Sequence, residues 1–212
     1  TARSRARALL TLAEREQASI VALGSSRRCQ EDLAFAGRTA RQVLHGAPHA
    51  VALAARGLAE RGCQLRRIVV GIDGSPEGRA ALAAARRLAR ETAADAAQVH
   101  VVAIADDTLP IARTPVGAVS QLTRWDELVA RARALAERLI AEATASDPAL
   151  TGEVRTGGPP EELAAVVAER QADLLVVGSR HWGPAAAIAI GGTAEELLRG
   201  CPCSLLLVPR PA

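Results

Sequence analysis

The chain has 212 residues, 49% of them apolar, and a formal charge of +3, enough to bury a substantial core in one or two domains. All 26 cationic residues are arginine, which excludes a phosphate-loop lysine, a kinase strand lysine and a Schiff-base lysine. No apolar run reaches the roughly 18 residues of a membrane span and no basic-then-apolar leader is evident; with one Phe, two Trp and no Tyr to stack on bases, the expectation is a cytoplasmic protein with no membrane or nucleic-acid partner.

In chain order, the pattern predicts a helix near 4–16, a strand at 19–24, a helix at 39–46 and a strand at 49–54. A linker at 57–64 follows, with Gly57 and Gly62. From Arg66 onward, short β-branched runs alternate with long amphipathic stretches, the signature of parallel βαβ units. Strands are expected at 66–72, 98–105, 151–155, 173–178 and 204–208, with helices near 76–95, 121–145, 159–171 and 193–200. Ser75 before Pro76 reads as an N-cap, Pro159-Pro160 with Glu161-Glu162 as a helix start, and Thr193-x-x-Glu196 and Thr39-x-x-Gln42 as capping boxes. Ile68-Val69-Val70 and Leu174-Leu175-Val176-Val177 are continuously apolar, so their strands should be covered by helices on both faces.

The two ends of the chain are copies of one unit. A shift of 154 residues pairs Leu9 with Leu163, Gln17-Ala18 with Gln171-Ala172, Gly24-Ser25 with Gly178-Ser179, and Gly37 with Gly191. It goes on to pair Thr39-Ala40 with Thr193-Ala194, Leu44 with Leu198 and Pro48 with Pro202, without a gap. The organisation expected is the C-terminal half of a first domain at 1–56 and a complete domain at 65–212. Since the chain contains no Met, residues upstream of Thr1 are expected. Without the front half of its domain, strand 19–24 should present an open edge that another chain could cover.

Ligands of such sheets lie beyond the carboxyl ends of the strands, where the winding reverses. That edge carries Asp73, the residues after Ile104, and Gly178 to Thr193. Asp73 could accept bonds from a ribose hydroxyl or an adenine amine, or it could hold the turn into the following helix. Gly191-Gly192-Thr193 could offer free backbone N–H groups to an anion, with Arg180 adding a charge-assisted bond, or it could simply begin a capped helix. His181 and Trp182 read as loop and packing residues. Cys29, Cys63, Cys201 and Cys203 lack structural zinc spacing and read as reduced thiols. No catalytic triad and no metal cluster is expected.

Ile68 to Ser75 at one end and Leu174 to Pro209 at the other resemble the universal stress protein family. The resemblance implies a doubly wound five-stranded parallel sheet of order 3-2-1-4-5, related to adenine-nucleotide α-hydrolase-like folds, with a partial second copy in front. It implies ATP with magnesium as a candidate ligand, and pairing of the two copies, or of two chains, through the last strands, here 49–54 with 204–208. By position, Asp73 would meet the adenosine, the Ile104 backbone the adenine, and Gly178, Arg180, Gly191, Gly192 and Thr193 the phosphates. His181 replaces the second glycine of the family's ATP motif and Gly192 its hydroxyl residue. In the first copy Ser26-Arg27 and Arg38 depart further, so that copy is expected to be a structural partner. The functional expectation is a stress-response module that binds or senses adenine nucleotide and is not an enzyme. The alternatives are a nucleotide-free interaction module and a slow nucleotide hydrolase.

Overall fold

The computed structural model describes residues 4–45, 47–62, 65–92, 97–108, 119–179 and 191–209. The first copy supplies α1 (Arg5–Arg15), β1 (Ile20–Gly24), α2 (Arg38–Leu44) and β2 (Ala50–Ala54), and a short α3 (Leu58–Arg61) occupies the linker. The second supplies β3 (Arg67–Ile72), α4 (Pro76–Glu91), β4 (Gln98–Ala105), α5 (Val119–Ser146), β5 (Leu150–Thr156), α6 (Pro159–Glu169), β6 (Leu174–Ser179), α7 (Gly192–Leu197) and β7 (Ser204–Pro209). The described strands join one seven-stranded sheet of order β1-β2-β7-β6-β3-β4-β5. Every neighbouring pair is parallel except β2 with β7. Within the second copy the order is the expected 3-2-1-4-5, but its sheet continues without a break through β2 and β1.

Alternate residues of the central strands face opposite layers. Leu175, Val177, Leu205 and Leu207 pack with α1, α2, α6 and α7 through Ala6, Val43, Leu163 and Leu197. Leu174, Val176, Leu206 and Ile68 pack with α4 and α5 through Ala81, Ala85 and Ala143. Burying each such Leu, Ile or Val side chain contributes about 1.5–3 kcal/mol, so the apolar runs of β3, β4, β6 and β7 are what hold the helices on both faces.

The duplication is visible down to single hydrogen bonds. Gln17 and Gln171, 154 residues apart, both take positive φ, 51° and 49°. Ala18 N–H bonds Ala13 O at 2.9 Å and Ala172 N–H bonds Val167 O at 2.9 Å, the same six-to-one closure of a helix end. Ser25 Oγ donates to Ala54 O at 2.6 Å and Ser179 Oγ to Val208 O at 3.4 Å.

Between the copies, β2 and β7 pair as Val51 with Leu207, Ala52 with Leu206, and Leu53 with Leu205. Ala52 thus lies opposite its own counterpart, and a pseudo-two-fold axis passes through that pair. The arrangement has the logic of a symmetric dimer interface, in which each contact recurs with the partners exchanged. At the far end of the sheet β1 pairs only with β2 among the described strands.

Some expected boundaries shift. Neither capping box forms: the N-caps of α2 and α7 are Gly37 and Gly191, with no side-chain cap bond. Glu196 pairs instead with Arg199 at 3.6 Å, and Gln42 accepts from Ser4 Oγ at 3.5 Å. The last residues of the would-be boxes are therefore engaged elsewhere. The Ser75 cap does form, with its hydroxyl accepting from Gly78 N–H at 3.0 Å and Pro76 in the first turn. Helix α4 ends at Glu91, where the Thr92 hydroxyl donates back to Leu88 O.

Candidate functional site

A cavity of about 360 Å³ opens beyond the carboxyl ends of β3, β4 and β6. The chain winds from β3 to β4 and β5 on one side and then crosses to β6 and β7 on the other, so the cavity sits where the winding reverses. Asp73, Ile104, Gly178, Gly191, Gly192 and Thr193 all line it, brought from four separate segments of the chain. Arg180 lies outside the described residues, as do His181 and Trp182.

Asp73 follows β3 and is exposed. Its Oδ1 accepts from Ser75 N–H at 3.0 Å and from the Ser75 hydroxyl, while Gly74, at φ +77°, turns the chain into α4. The carboxylate thus holds the turn while standing at the cavity rim. A Cβ at Gly78 would lie 2.7 Å from Asp73 Oδ1, so a larger residue there would push the carboxylate out of this position.

Gly178 has a packing reason of its own. An added Cβ would lie 2.7 Å from both the carbonyl carbon and the Cβ of Glu77, so the first turn of α4 rests directly on β6. That approach helps bury Glu77, which is 7% exposed and lines the cavity. Gly192 differs, since nothing lies within 4 Å of the Cβ it lacks. It is the first residue of α7, and the cavity meets α7 at Gly191, Gly192, Thr193 and Ala194.

Val102, Ile104, Leu163 and Val177 form an apolar wall, and Asp73, Glu77 and Asp106 are the acidic residues of the lining. Asp106 Oδ1 accepts from Thr108 N–H at 2.9 Å, which closes a turn just past β4. Glu77 and Asp106 were not among the residues singled out from sequence. Asp106 carried a signal, an acidic residue immediately after a buried strand; Glu77 looked like an ordinary first-turn acid. Among the described residues no group of His, Cys, Asp and Glu is placed to hold a metal ion.

In the first copy the loop after β1 bonds to itself and to the chain that follows β2. Ser26 N–H bonds Phe35 O at 3.0 Å, Asp32 N–H bonds Arg56 O at 3.1 Å, and Arg56 N–H bonds Leu33 O at 3.0 Å. Phe35 N–H donates to Ser25 Oγ at 3.1 Å, and Arg56 Nη1 donates to Cys29 O at 2.5 Å. Beyond these, Ala34 exchanges backbone bonds with Cys201, and Ala36 N–H bonds Leu198 O. The loop therefore clamps the second copy at the start of β7.

Away from the cavity, buried His100 on β4 joins Thr151 through Nδ1 at 2.8 Å and Glu153 through Nε2 at 3.0 Å, both on β5. Arg155 and Arg170 stand 3.3 Å from Glu153. Burial, then the charge of Arg170, hold the imidazole below its usual value despite Glu153. Burial pushes the Glu153 carboxyl up, but the His100 bond and the two guanidinium groups outweigh it and hold it low. Cys29, Cys201 and Cys203 are free thiols, the last two buried with sulfurs 3.9 Å apart.

A mostly parallel sheet covered on both faces, with a crevice at its reversal point, defines the class: a doubly wound α/β protein. The universal stress protein family model matches residues 64–209, more than half of the sequence, and the chain belongs to that family. It is 28% identical over 149 residues to the "Universal stress protein in QAH/OAS sulfhydrylase 3'region" of Thermus aquaticus, a span of 68% of this chain and 98% of that one.

Among solved structures, a universal stress protein from Archaeoglobus fulgidus DSM 4304 superposes with a TM-score of 0.66 at 18% identity, covering 96% of this chain and 67% of its own. A functionally unknown protein from Pseudomonas aeruginosa PAO1 superposes with a TM-score of 0.67 at 19% identity, covering 98% and 69%. At these identities the likeness is one of fold, and it extends over the first copy as well as the second. No helix among the described residues is long and apolar enough to cross a membrane.

Proposed function

We propose that this chain is a stress-response module that holds an adenine nucleotide in the cavity beyond β3, β4 and β6 and signals by occupancy rather than by catalysis. The observation that carries the reading is the convergence of Asp73, Ile104, Gly178, Gly191, Gly192 and Thr193 on that cavity. The apolar wall of Val102, Ile104, Leu163 and Val177 suits the faces of a planar base. Asp73 would accept from hydroxyl or amine groups of the nucleoside. Gly191, Gly192 and Thr193 would face the phosphates, where the missing side chain of Gly192 leaves room for close approach. Three acidic residues on the lining favour a nucleotide accompanied by magnesium over a bare triphosphate.

Titration calorimetry with ATP and magnesium tests this. Saturable heat is expected, and Asp73→Ala should weaken binding about 10- to 100-fold, the value of a hydrogen bond to a charged group, with the circular dichroism spectrum unchanged. Absence of heat at millimolar ATP would defeat the reading. A nucleotide-free interaction module is the second reading, favoured by one observation: Asp73 and Gly178 each have a structural task in the turn and in the seating of α4. Nucleotide retained through purification would remove it.

A further inference from the structure

Arg41 and Glu195 form an ion pair across the junction of the two copies, and they are separated by 154 residues, the length of the repeat. They are the same position in the duplicated unit, as are Ala52 and Leu206, which face each other on the pseudo-two-fold axis. In a symmetric interface, a residue beside the axis meets its own counterpart. If two second copies faced each other this way, Glu195 would meet Glu195; if two first copies did, Arg41 would meet Arg41. Only one copy of each kind brings opposite charges together.

The surroundings make the sign matter. The two side chains are 31% and 29% exposed, and they sit beside buried Ala40, Val43, Ala194 and Leu197 on α2 and α7. Arg41 is also held in place, its Nε donating to Ala36 O at 3.2 Å, while Ala36 N–H bonds Leu198 O across the junction. A guanidinium fixed this way cannot swing far to avoid a like charge. The strand pairing itself does not discriminate, because Val51, Ala52 and Leu53 against Leu205, Leu206 and Leu207 are apolar on both sides, whereas the bond from Ala55 N–H to Ser204 Oγ at 3.1 Å is a second contact that the counterparts Pro209 and Ala50 could not reproduce.

We propose that Arg41 and Glu195 are the charged specificity element of this interface: the pair helps the surface of β2 and α2 fit the β7 and α7 surface of the second copy and reject a surface like itself. The shared apolar seam supplies adhesion, and the charge pair penalises the two like-charged choices of partner.

The full-length chain tests this, because single reversals recreate the rejected pairings within it. Arg41→Glu presents the Glu–Glu contact of two second copies, and Glu195→Arg presents the Arg–Arg contact of two first copies. Each is expected to lower the thermal midpoint at low salt by about 2–4 °C. The exchanged double variant R41E/E195R should return to within about 1 °C of the parent, and 1 M salt should shrink the losses. Arg41→Gln should fall between the parent and Arg41→Glu. Losses in the double variant that equal the sum of the singles would overturn the proposal, since a role in packing alone is not rescued by exchange. So would reversals that leave the midpoint unmoved.

Discussion

The two copies share a backbone but not a fate. In the first, the segment after β1 folds onto itself and clamps Cys201 and Leu198. In the second, the strand end of β6 faces a cavity whose other walls come from β3, α4, β4, α6 and the start of α7. Gly24 and Gly178 show the difference at one position: nothing lies within 4 Å of the Cβ missing from Gly24, whereas that of Gly178 would collide with Glu77. A duplicated strand and turn is therefore not a site. The cavity exists where the turn after β3 is laid against it.

The sharpest way to break this comparison is Gly178→Ala. The added methyl must displace the backbone of α4, and a loss of about 3 kcal/mol is expected in urea unfolding. The matched change Gly24→Ala should leave stability unchanged or raise it by up to about 1 kcal/mol, through the stiffer unfolded chain. Equal effects at the two positions would refute the distinction.

A smaller effect is expected in the closed loop. Ser25→Ala removes both the bond to Ala54 O and the acceptor for Phe35 N–H, a cost of about 1–2 kcal/mol. Backbone hydrogen exchange at residues 26–36 should quicken while the cavity is undisturbed.

The smallest and most conditional effect concerns pH. Because His100 is held below its usual value when folded, the unfolded chain binds more protons near pH 6.5 and just below it. Stability should therefore rise with pH through that window and be lost as pH falls from about 6.5 toward the lower folded value. The depressed Glu153 adds a loss of the same sign in its own, more acidic window. In His100→Gln the slope near pH 6.5 should flatten; an unchanged slope would place its origin in other groups.

Much of this fold was legible in the residues. The continuous runs at Ile68 to Val70 and Leu174 to Val177 mark strands buried on both faces, and the 154-residue offset maps the first copy onto α6, β6, α7 and β7 element by element. Likewise legible was the union of strand 49–54 with strand 204–208, which the resemblance implied. Contacts between distant segments were not. Glu77 looks like any acidic residue in a first helical turn until α4 is seated on Gly178. The capping boxes at Thr39 and Thr193 failed because glycines took the N-cap and the last residues of the boxes found partners elsewhere. The candidate site was readable where it lies on strand ends, at Asp73, Ile104 and Gly178, and harder to read at Asp106.

The reversal of direction between β2 and β7 has a geographical result. Strand ends that share one rim within a copy lie on opposite rims between copies, so the clamp formed by residues 25–37 and the cavity stand a strand's length apart, about 20 Å for six residues. A macromolecule gripping the clamp would leave the mouth of the cavity open to solvent, and a small molecule could come and go while the larger one stayed attached.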